Sequence, residues 1–526
     1  MMNDEERHDR RAGLTSLEPI VAMGRNCWRI EACRRASVIV DAADYYHLVQ
    51  KVMAGARDLI LVIGWHFDTR IQLEPSRGSS KSTLGQFFLT LARKKPDRRI
   101  AILKWSFGAK KQFFRPTAAL MLWKWERTKA IDFRFDSAHK PGCSHHQKIV
   151  VIDDSLAVCG GIDISTARWD TCEHADGDER RRLPNGKAYA PWHDATMMLE
   201  GPIASALGSL GCDRWHRATG MDLSPPHSPA DSLWPDELPV QFVNVDVAIS
   251  RTRAEYQGAS EIREIEALYL DMIAAAKRFI YFENQYFTSA KLAAAIAKRL
   301  QEEEPPEFVM VMPRQADGWL EQKAMDGARV RLACEIAQAD RQNRFRIYVP
   351  MTRGGTDIYV HAKVSIVDDR LIRVGSSNLN NRSLGLDSEC DVVIDAALPA
   401  NRETVPEIAR LRTRLIAEHL AVEPKAFAHE FQQRGSLVDA IEAIRGQGKT
   451  LDLLDLTKPG PLDQFIADNE LLDPESADSF LDPIGERGLR RHWREGLTRI
   501  RSRRLGTSSN ANNPLNSANR KEPSDE

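Results

Sequence analysis

Two kinds of hydrophobic pattern alternate along the chain. Continuous apolar runs at 59–65 (LILVIGW), 99–105 (RIAILKW), 148–153 (KIVVID) and 156–161 (LAVCGG) have the length of strands covered on both faces. A shorter run at 38–40 predicts a first short strand. Between these runs, segments 44–55 and 84–92 space their apolar residues three and four apart, as Tyr45, Leu48, Val49 and Val52 do before Gly55. The later chain repeats the plan. Ile265, Leu268, Tyr269 and Met272 mark one helical face within 262–276, and strand-like runs follow at 279–287, 307–313, 346–349 and 363–368. Strands alternating with helices predict an α/β layered fold.

One phrase occurs twice in this pattern. HHQKIVVIDDSLAVCGGID carries His146, Lys148, Asp153 and Gly160; VHAKVSIVDDRLIRVGSSN carries His361, Lys363, Asp368 and Gly375, each 215 residues later. Side chains at i and i+2 of a strand share a face, so each His and Lys pair projects together from one strand or its entrance. The form H-x-K-x4-D-x6-G, found twice, resembles the double motif of the phospholipase D superfamily. RWD (168–170), PWHD (191–194), IYFENQYFTS (280–289) and NRSLGLDSE (381–389) resemble further blocks of that family in the same order, and the likeness extends over about 37–425.

The resemblance implies two similar α/β/α sandwich halves with mixed β-sheets, related by a pseudo-two-fold axis and packed face to face, with the active site at their interface. The expected division is an N-terminal arm (1–36), a first half (37–218), a Pro-rich linker (219–245), a second half (246–425), a C-terminal extension (426–505) and a disordered tail (506–526). Five prolines within 224–239 forbid a regular element in the linker. The two halves would bring two imidazoles and two ammonium groups around one phosphodiester. One neutral imidazole attacks phosphorus to form a phosphohistidine, the other protonates the leaving alkoxide, and Lys148, Lys363 and Asn378 stabilise the equatorial oxygens. On this scheme fixed lysine charges do the work of a metal, so no metal or other cofactor is expected. Family analogy makes His146 the nucleophile and His361 the acid; the sequence itself does not separate the roles. It also suggests Asp194 as the acid orienting the first half's histidine and Glu389 as that orienting the second's. Asp153 and Asp368 are expected to be structural anchors. Asp163 stands where the second half has Asn378, and a carboxylate there, repelling phosphate, is expected to point elsewhere.

Composition narrows the partners. Lys plus Arg number 73 and Asp plus Glu 74, a net charge of −1, which gives no general attraction to nucleic acid. The eight cysteines include no C-x-x-C pair, against zinc-ribbon or thioredoxin-like readings, and Cys143 and Cys159 are expected as buried thiols. The polar start MMNDEERHDRRAG has no secretory apolar stretch, and no run approaches the ~20 residues of a membrane span. A cytoplasmic or peripheral-membrane protein, acting as a monomer on phospholipid, is expected; export without a signal peptide is equally compatible. GQGKT (446–450) lacks the first glycine of a phosphate loop, since Ala443 stands there. His145, His193 and His419 are expected to be structural, and EHADGDERRR (173–182) a solvated loop. Arginines surround the apolar stripe Leu489, Trp493, Leu497 and Ile500 within 488–504, a pattern suited equally to an anionic membrane surface and to packing on the body. The resulting expectation is a phospholipase D that releases phosphatidate and also transfers phosphatidyl groups to alcohols. A cardiolipin synthase-type phosphatidyltransferase and a nuclease-like phosphodiesterase are the alternatives.

Overall fold

In a computed structural model of the chain, residues 18–75, 82–105, 116–223, 232–316 and 319–454 are described. Positions 1–17 of the expected arm, 224–231 of the linker, the basic segment 488–504 and the tail 506–526 lie outside them.

The fold is mixed α/β, built on one large mixed sheet. The first strands are β1 (Arg29–Val40), β2 (Leu59–Gly64), β3 (Arg99–Trp105), β4 (Ile131–Asp136), β5 (Ile149–Ile152), β6 (Leu156–Gly160), β7 (Trp192–His193) and β8 (Ala195–Glu200). The later ones are β9 (Phe242–Arg253), β10 (Ile262–Arg263), β11 (Phe279–Glu283), β12 (Glu307–Val311), β13 (Phe345–Met351), β14 (Tyr359–Val360), β15 (Val364–Val367), β16 (Leu371–Gly375), β17 (Glu389–Asp395) and β18 (Thr450–Leu453). From the central pair outward, β1-β8-β6-β5-β2-β3-β4 runs one way and β9-β17-β16-β15-β11-β12-β13 the other. Both series are antiparallel until their last two pairings, which are parallel. Strand order and direction are therefore repeated.

The two series meet edge to edge through β1 and β9, and also face to face. The Cys159 thiol lies 3.5 Å from the Cys390 carbonyl oxygen. One core contains Leu61, Val151 and Met197 together with Tyr281, Ile366 and Val392. Alternate residues of the same strands, Ile60, Val62 and Val150, enter a second core under the outer helices. Burial on both faces is what uninterrupted apolar strands predict.

Two boundaries differ from expectation. The N-terminal segment is no loose arm from Ile20 onward: the Ile20 amide donates to Asp395 Oδ2 at 2.6 Å, and β1 begins at Arg29 rather than Val38. Its outer stretch, RIEACRR, carries polar side chains at partly buried positions, which hid the strand. The body also continues beyond residue 425. Helices Pro424–Arg434 and Leu437–Ile444 lead to β18, which pairs with β13. GQGKT here leads into a strand, and Lys449 bonds the Cys172 carbonyl. All eight cysteines are free thiols. No described helix is long and apolar enough to cross a membrane.

Candidate active site

Each motif begins just before a strand and ends where two strands come very close. Lys148 and Lys363 immediately precede β5 and β15. A Cβ on Gly160 would sit 2.4 Å from Thr196 Cα, and one on Gly375 would sit 2.6 Å from Asp391 Cα. Backbone blocks both, so only glycine fits these positions. The motif aspartates sit in the β5–β6 and β15–β16 turns and hold the helix-to-strand loops that lead into β2 and β11. Asp153 accepts the amides of Arg57, Asp58 and Leu59 at 2.6–2.8 Å. Asp368 accepts those of Lys277, Arg278 and Phe279 at 2.7–2.8 Å. Each carboxylate is thus held by three backbone amides.

The histidine backbones are held by the opposite half. The His146 amide donates to the Ser388 carbonyl at 2.9 Å, and the His361 amide to the His193 carbonyl at 2.8 Å. β14 pairs with β7 beside the second contact. The side chains follow suit. His146 Nδ1 lies 3.0 and 3.1 Å from the two Glu389 oxygens, and His361 Nδ1 lies 2.7 Å from Asp194 Oδ2. This reverses the expected assignment of the two acids. Pairing each histidine with its own half's acid overlooked that the strand entrances dock across the interface.

Supporting bonds fix these carboxylates. Glu389 accepts from the Ser376 hydroxyl at 2.5 Å and the Ser383 hydroxyl at 2.7 Å. Ser383 sits in a single π-helical turn, Arg382–Leu386, braced by an Arg382–Asp387 ion pair. Asp194 Oδ1 accepts the Ala195 amide at 2.8 Å, and a Cβ on Gly161 would reach that oxygen at 2.2 Å. With Nδ1 engaged on each ring, Nε2 is the nitrogen free to act.

The lysines are tethered in matching fashion. Lys148 Nζ donates to its own motif's His146 carbonyl at 2.8 Å, and Lys363 Nζ to the His361 carbonyl at 2.5 Å and to Gln285 Oε1 at 3.2 Å. Asp163 lies 3.4 Å from Lys148 Nζ through Oδ2, while Oδ1 accepts the Trp65 and His66 amides. It therefore faces the lysine rather than pointing away, because that charge and two amides offset its own. Asn378 is 4% exposed, and its amide oxygen has no hydrogen-bond partner.

Burial dominates the electrostatics. His146 is driven well below the usual imidazole range by burial, then by Lys148 and Lys363. His361 is lowered by burial, Lys363, Arg168 and Lys148, and also by His146. The groups of both motifs thus share one field. Burial lifts Glu389 to about 8, lifts Asp194 to about 6, and lowers Lys363 to about 7. Both imidazoles are thus lowered by burial and by neighbouring cationic groups, an arrangement in which a nearby anion would raise them again.

A family model described as phospholipase D matches residues 52–352 and 293–437. The chain belongs to the phospholipase D family. Among its relatives, phospholipase D A of Dictyostelium discoideum is 27% identical over 54% of this chain and 27% of its own length. Phospholipase D1 of Saccharomyces cerevisiae is 24% identical over 73% of this chain and 29% of its own. Phospholipase D alpha 1 of Nicotiana tabacum is 26% identical over 54% of this chain and 50% of its own. The chain therefore spans about a quarter to a half of these relatives. The crystal structure of phosphatidylserine synthase from Haemophilus influenzae is similar in fold, with TM-score 0.53 and 11% identity over 96% of this chain and 99% of that one.

In this phospholipase D family member, the smaller motif blocks serve the site from behind. Asp170 of RWD accepts from His174, Arg181 and the Trp192 amide, and Arg168 stacks over Trp192 at 3.9 Å. The run 173–182 is thus only partly a solvated loop, since His174 and Arg181 are buried. His145 bonds Ser388 Oγ at 2.6 Å through Nδ1 and lies 3.2 Å from Asp136 Oδ1 through Nε2. His193 and His419 are buried and share Glu283 of the ENQ block. Neither was separable from ordinary core histidines in the sequence.

Proposed function

We propose that the protein is a phospholipase D that cleaves glycerophospholipids to phosphatidate and a head-group alcohol, with transfer of the phosphatidyl group to other alcohols. The crossed pairs, His146 with Glu389 and His361 with Asp194, carry this reading. Two imidazoles oriented through Nδ1, with two lysines tethered beside them, suit in-line displacement at a phosphodiester.

In the proposed cycle, two halves related by a pseudo-two-fold axis share one phosphate. His146 Nε2 attacks phosphorus, and the bond to the head-group oxygen breaks as His361 supplies its proton. Lys148, Lys363 and the Asn378 amide stabilise charge on the equatorial oxygens. His361, now neutral, takes a proton from water or an alcohol, which attacks the phosphohistidine and frees His146. The 2.7 Å Asp194 contact supports the acid role for His361, because a close carboxylate stabilises imidazolium. A phospholipid substrate implies contact with a membrane surface, and the protein is proposed to work there from the cytoplasmic compartment as a monomer.

The test is mass analysis of His146→Ala and His361→Ala after brief exposure to phosphatidylcholine. His361→Ala is expected to retain a phosphatidyl adduct and His146→Ala to retain none. A parallel assay on phosphatidylcholine, phosphatidylglycerol and plasmid DNA should show lipid turnover. DNA cleavage without lipid turnover would overturn the substrate class.

A further inference from the structure

Behind the motif residues lies a second cluster that the proposed reaction does not use. Asp41, just before helix Ala42–Gly55, meets His174 and His193, and Glu418 meets the same two histidines. The chain brings them from four separate places: the end of β1, the loop after RWD, β7 and helix Val405–Leu420. One ligating atom from each lies within 4.8 Å of all the others.

Four observations set this apart from a salt-bridge network. First, His174 Nε2, His193 Nδ1, Asp41 Oδ2 and Glu418 Oε1 are buried and have no hydrogen-bond partner. The two imidazoles are 0% exposed and the Asp41 side chain 2%. Second, the distances are even: His174 Nε2 is 3.5 Å from Asp41 Oδ2 and 3.4 Å from Glu418 Oε1, and His193 Nδ1 is 3.4 Å from Asp41 Oδ1 and 3.5 Å from Glu418 Oε1. These are long for charge-assisted hydrogen bonds. A tetrahedral ion with ligand bonds of about 2.0–2.2 Å has edges of about 3.3–3.6 Å. Third, each imidazole's other nitrogen meets a carboxylate, His174 Nδ1 at Asp170 (3.0 Å) and His193 Nε2 at Glu283 (3.0 Å). That outer contact fixes the tautomer that turns a lone pair inward. Fourth, four carboxylates gather here, and among the described residues the fixed cation bonded to them is Arg181, on Asp170.

We propose that Asp41, His174, His193 and Glu418 bind one structural zinc ion. Two imidazoles with two carboxylate oxygens suit zinc, and four protein ligands leave no open position for chemistry. The ion would clamp the two halves, since Glu418 and Glu283 come from the second. It would also steady Asp194: the Asp41 amide donates to the Asp194 carbonyl at 2.7 Å, and Asp41 Oδ1 accepts the Asp194 amide at 3.1 Å.

The experiment is elemental analysis of the full chain, expressed with zinc supplied and dialysed against EDTA. About one zinc per chain is expected. Stripping it with a stronger chelator should lower Tm, and added zinc chloride should restore it. Cobalt(II) in its place should give the visible absorption of a four-coordinate site. His174→Gln should lose the metal, whereas His146→Ala, outside the cluster, should keep it. Zinc lost from His146→Ala but kept by His174→Gln would overturn the assignment. So would a wild-type chain carrying under a tenth of an equivalent of any divalent metal, with a Tm unmoved by zinc. That last result needs no variant to fold, and it would leave a network of protonated histidines in the cluster.

Discussion

The crossed pairing of acids and histidines predicts which double variants are silent. Asp194→Asn removes the carboxylate 2.7 Å from His361 Nδ1, and Glu389→Gln removes the one 3.0 Å from His146 Nδ1. A hydrogen bond contributes about 0.5–1.5 kcal/mol between neutral partners and about 1.5–3 kcal/mol when one is charged, and each ~1.4 kcal/mol is tenfold in rate, so Asp194→Asn should cost roughly 10–150-fold in kcat and Glu389→Gln, whose carboxyl is raised to about 8, roughly 2–12-fold. The upper end is expected because both acids are buried and water does not substitute. The assay is kcat on phosphatidylcholine and on a phosphatidyl nitrophenyl ester, whose leaving group needs no proton. Asp194→Asn should be strongly defective on the first substrate and largely restored on the second, as His361→Ala should be. Glu389→Gln should remain defective on both, as His146→Ala should. Within doubles, Asp194→Asn should add little to His361→Ala, and Glu389→Gln little to His146→Ala, while the two acid changes multiply. If Asp194→Asn is silent in the His146→Ala background and multiplies with His361→Ala, the acids serve their own halves and the crossed geometry is wrong.

Other consequences follow from burial and charge. Glu389, raised to about 8 from an ordinary 4.5, binds more protons folded than unfolded between those values. Its stabilising contribution is complete below about pH 4.5 and is lost as pH rises towards 8, on the order of a few kcal/mol. The Tm of Glu389→Gln relative to the parent should therefore climb between pH 5 and 8; a flat difference would count against a raised Glu389. Lys363, lowered to about 7, should set an alkaline limb near there in kcat/KM, and Lys363→Arg should move that limb upward in any activity it retains. The donors to Asp153 are more buried than those to Asp368. Urea unfolding should thus show Asp153→Ala losing about 3–5 kcal/mol, more than Asp368→Ala, because water can reach the amides left behind in the latter. Gly160→Ala, whose new methyl meets backbone at 2.4 Å, should fail to give soluble protein where Gly177→Ala, with open space around it but a left-handed φ of 65°, should remain soluble.

The sequence revealed what is local. Continuous apolar runs gave β2, β3, β5 and β6 within a residue or two of their ends, because strands buried on both faces leave no polar gaps. It missed most of β1, and β9 entirely, though both are twelve residues long and pair at the sheet's centre. Val243 is 61% exposed in β9, and Arg29 and Glu31 are partly exposed in β1, so neither strand shows a clean period. The motif residues were legible as letters, but their partners were not. Asp194 is nearer in sequence to His146, and Glu389 to His361, and that nearness suggested the opposite pairing. What decides the contact is the docking of each motif's entrance onto the other half's backbone, through Ser388 and His193.

The same limit governed Asp163 and the buried histidines. Repulsion from a phosphate is a sound expectation for an isolated carboxylate, but Asp163 is not isolated: Lys148 and two amides already compensate it. This has a consequence for the asymmetry of the site. Lys148 shares its charge with Asp163, whereas Lys363 leans on a neutral Gln285 oxygen. An arriving phosphate therefore meets a partly neutralised cation on the His146 side and a less compensated one on the His361 side. Removing the compensation should be visible as a change in binding: Asp163→Asn, which keeps an oxygen for the Trp65 and His66 amides, should lower KM for an anionic diester more than it alters kcat. The reverse split would mean that Asp163 holds the fold of the site and leaves its charge unchanged.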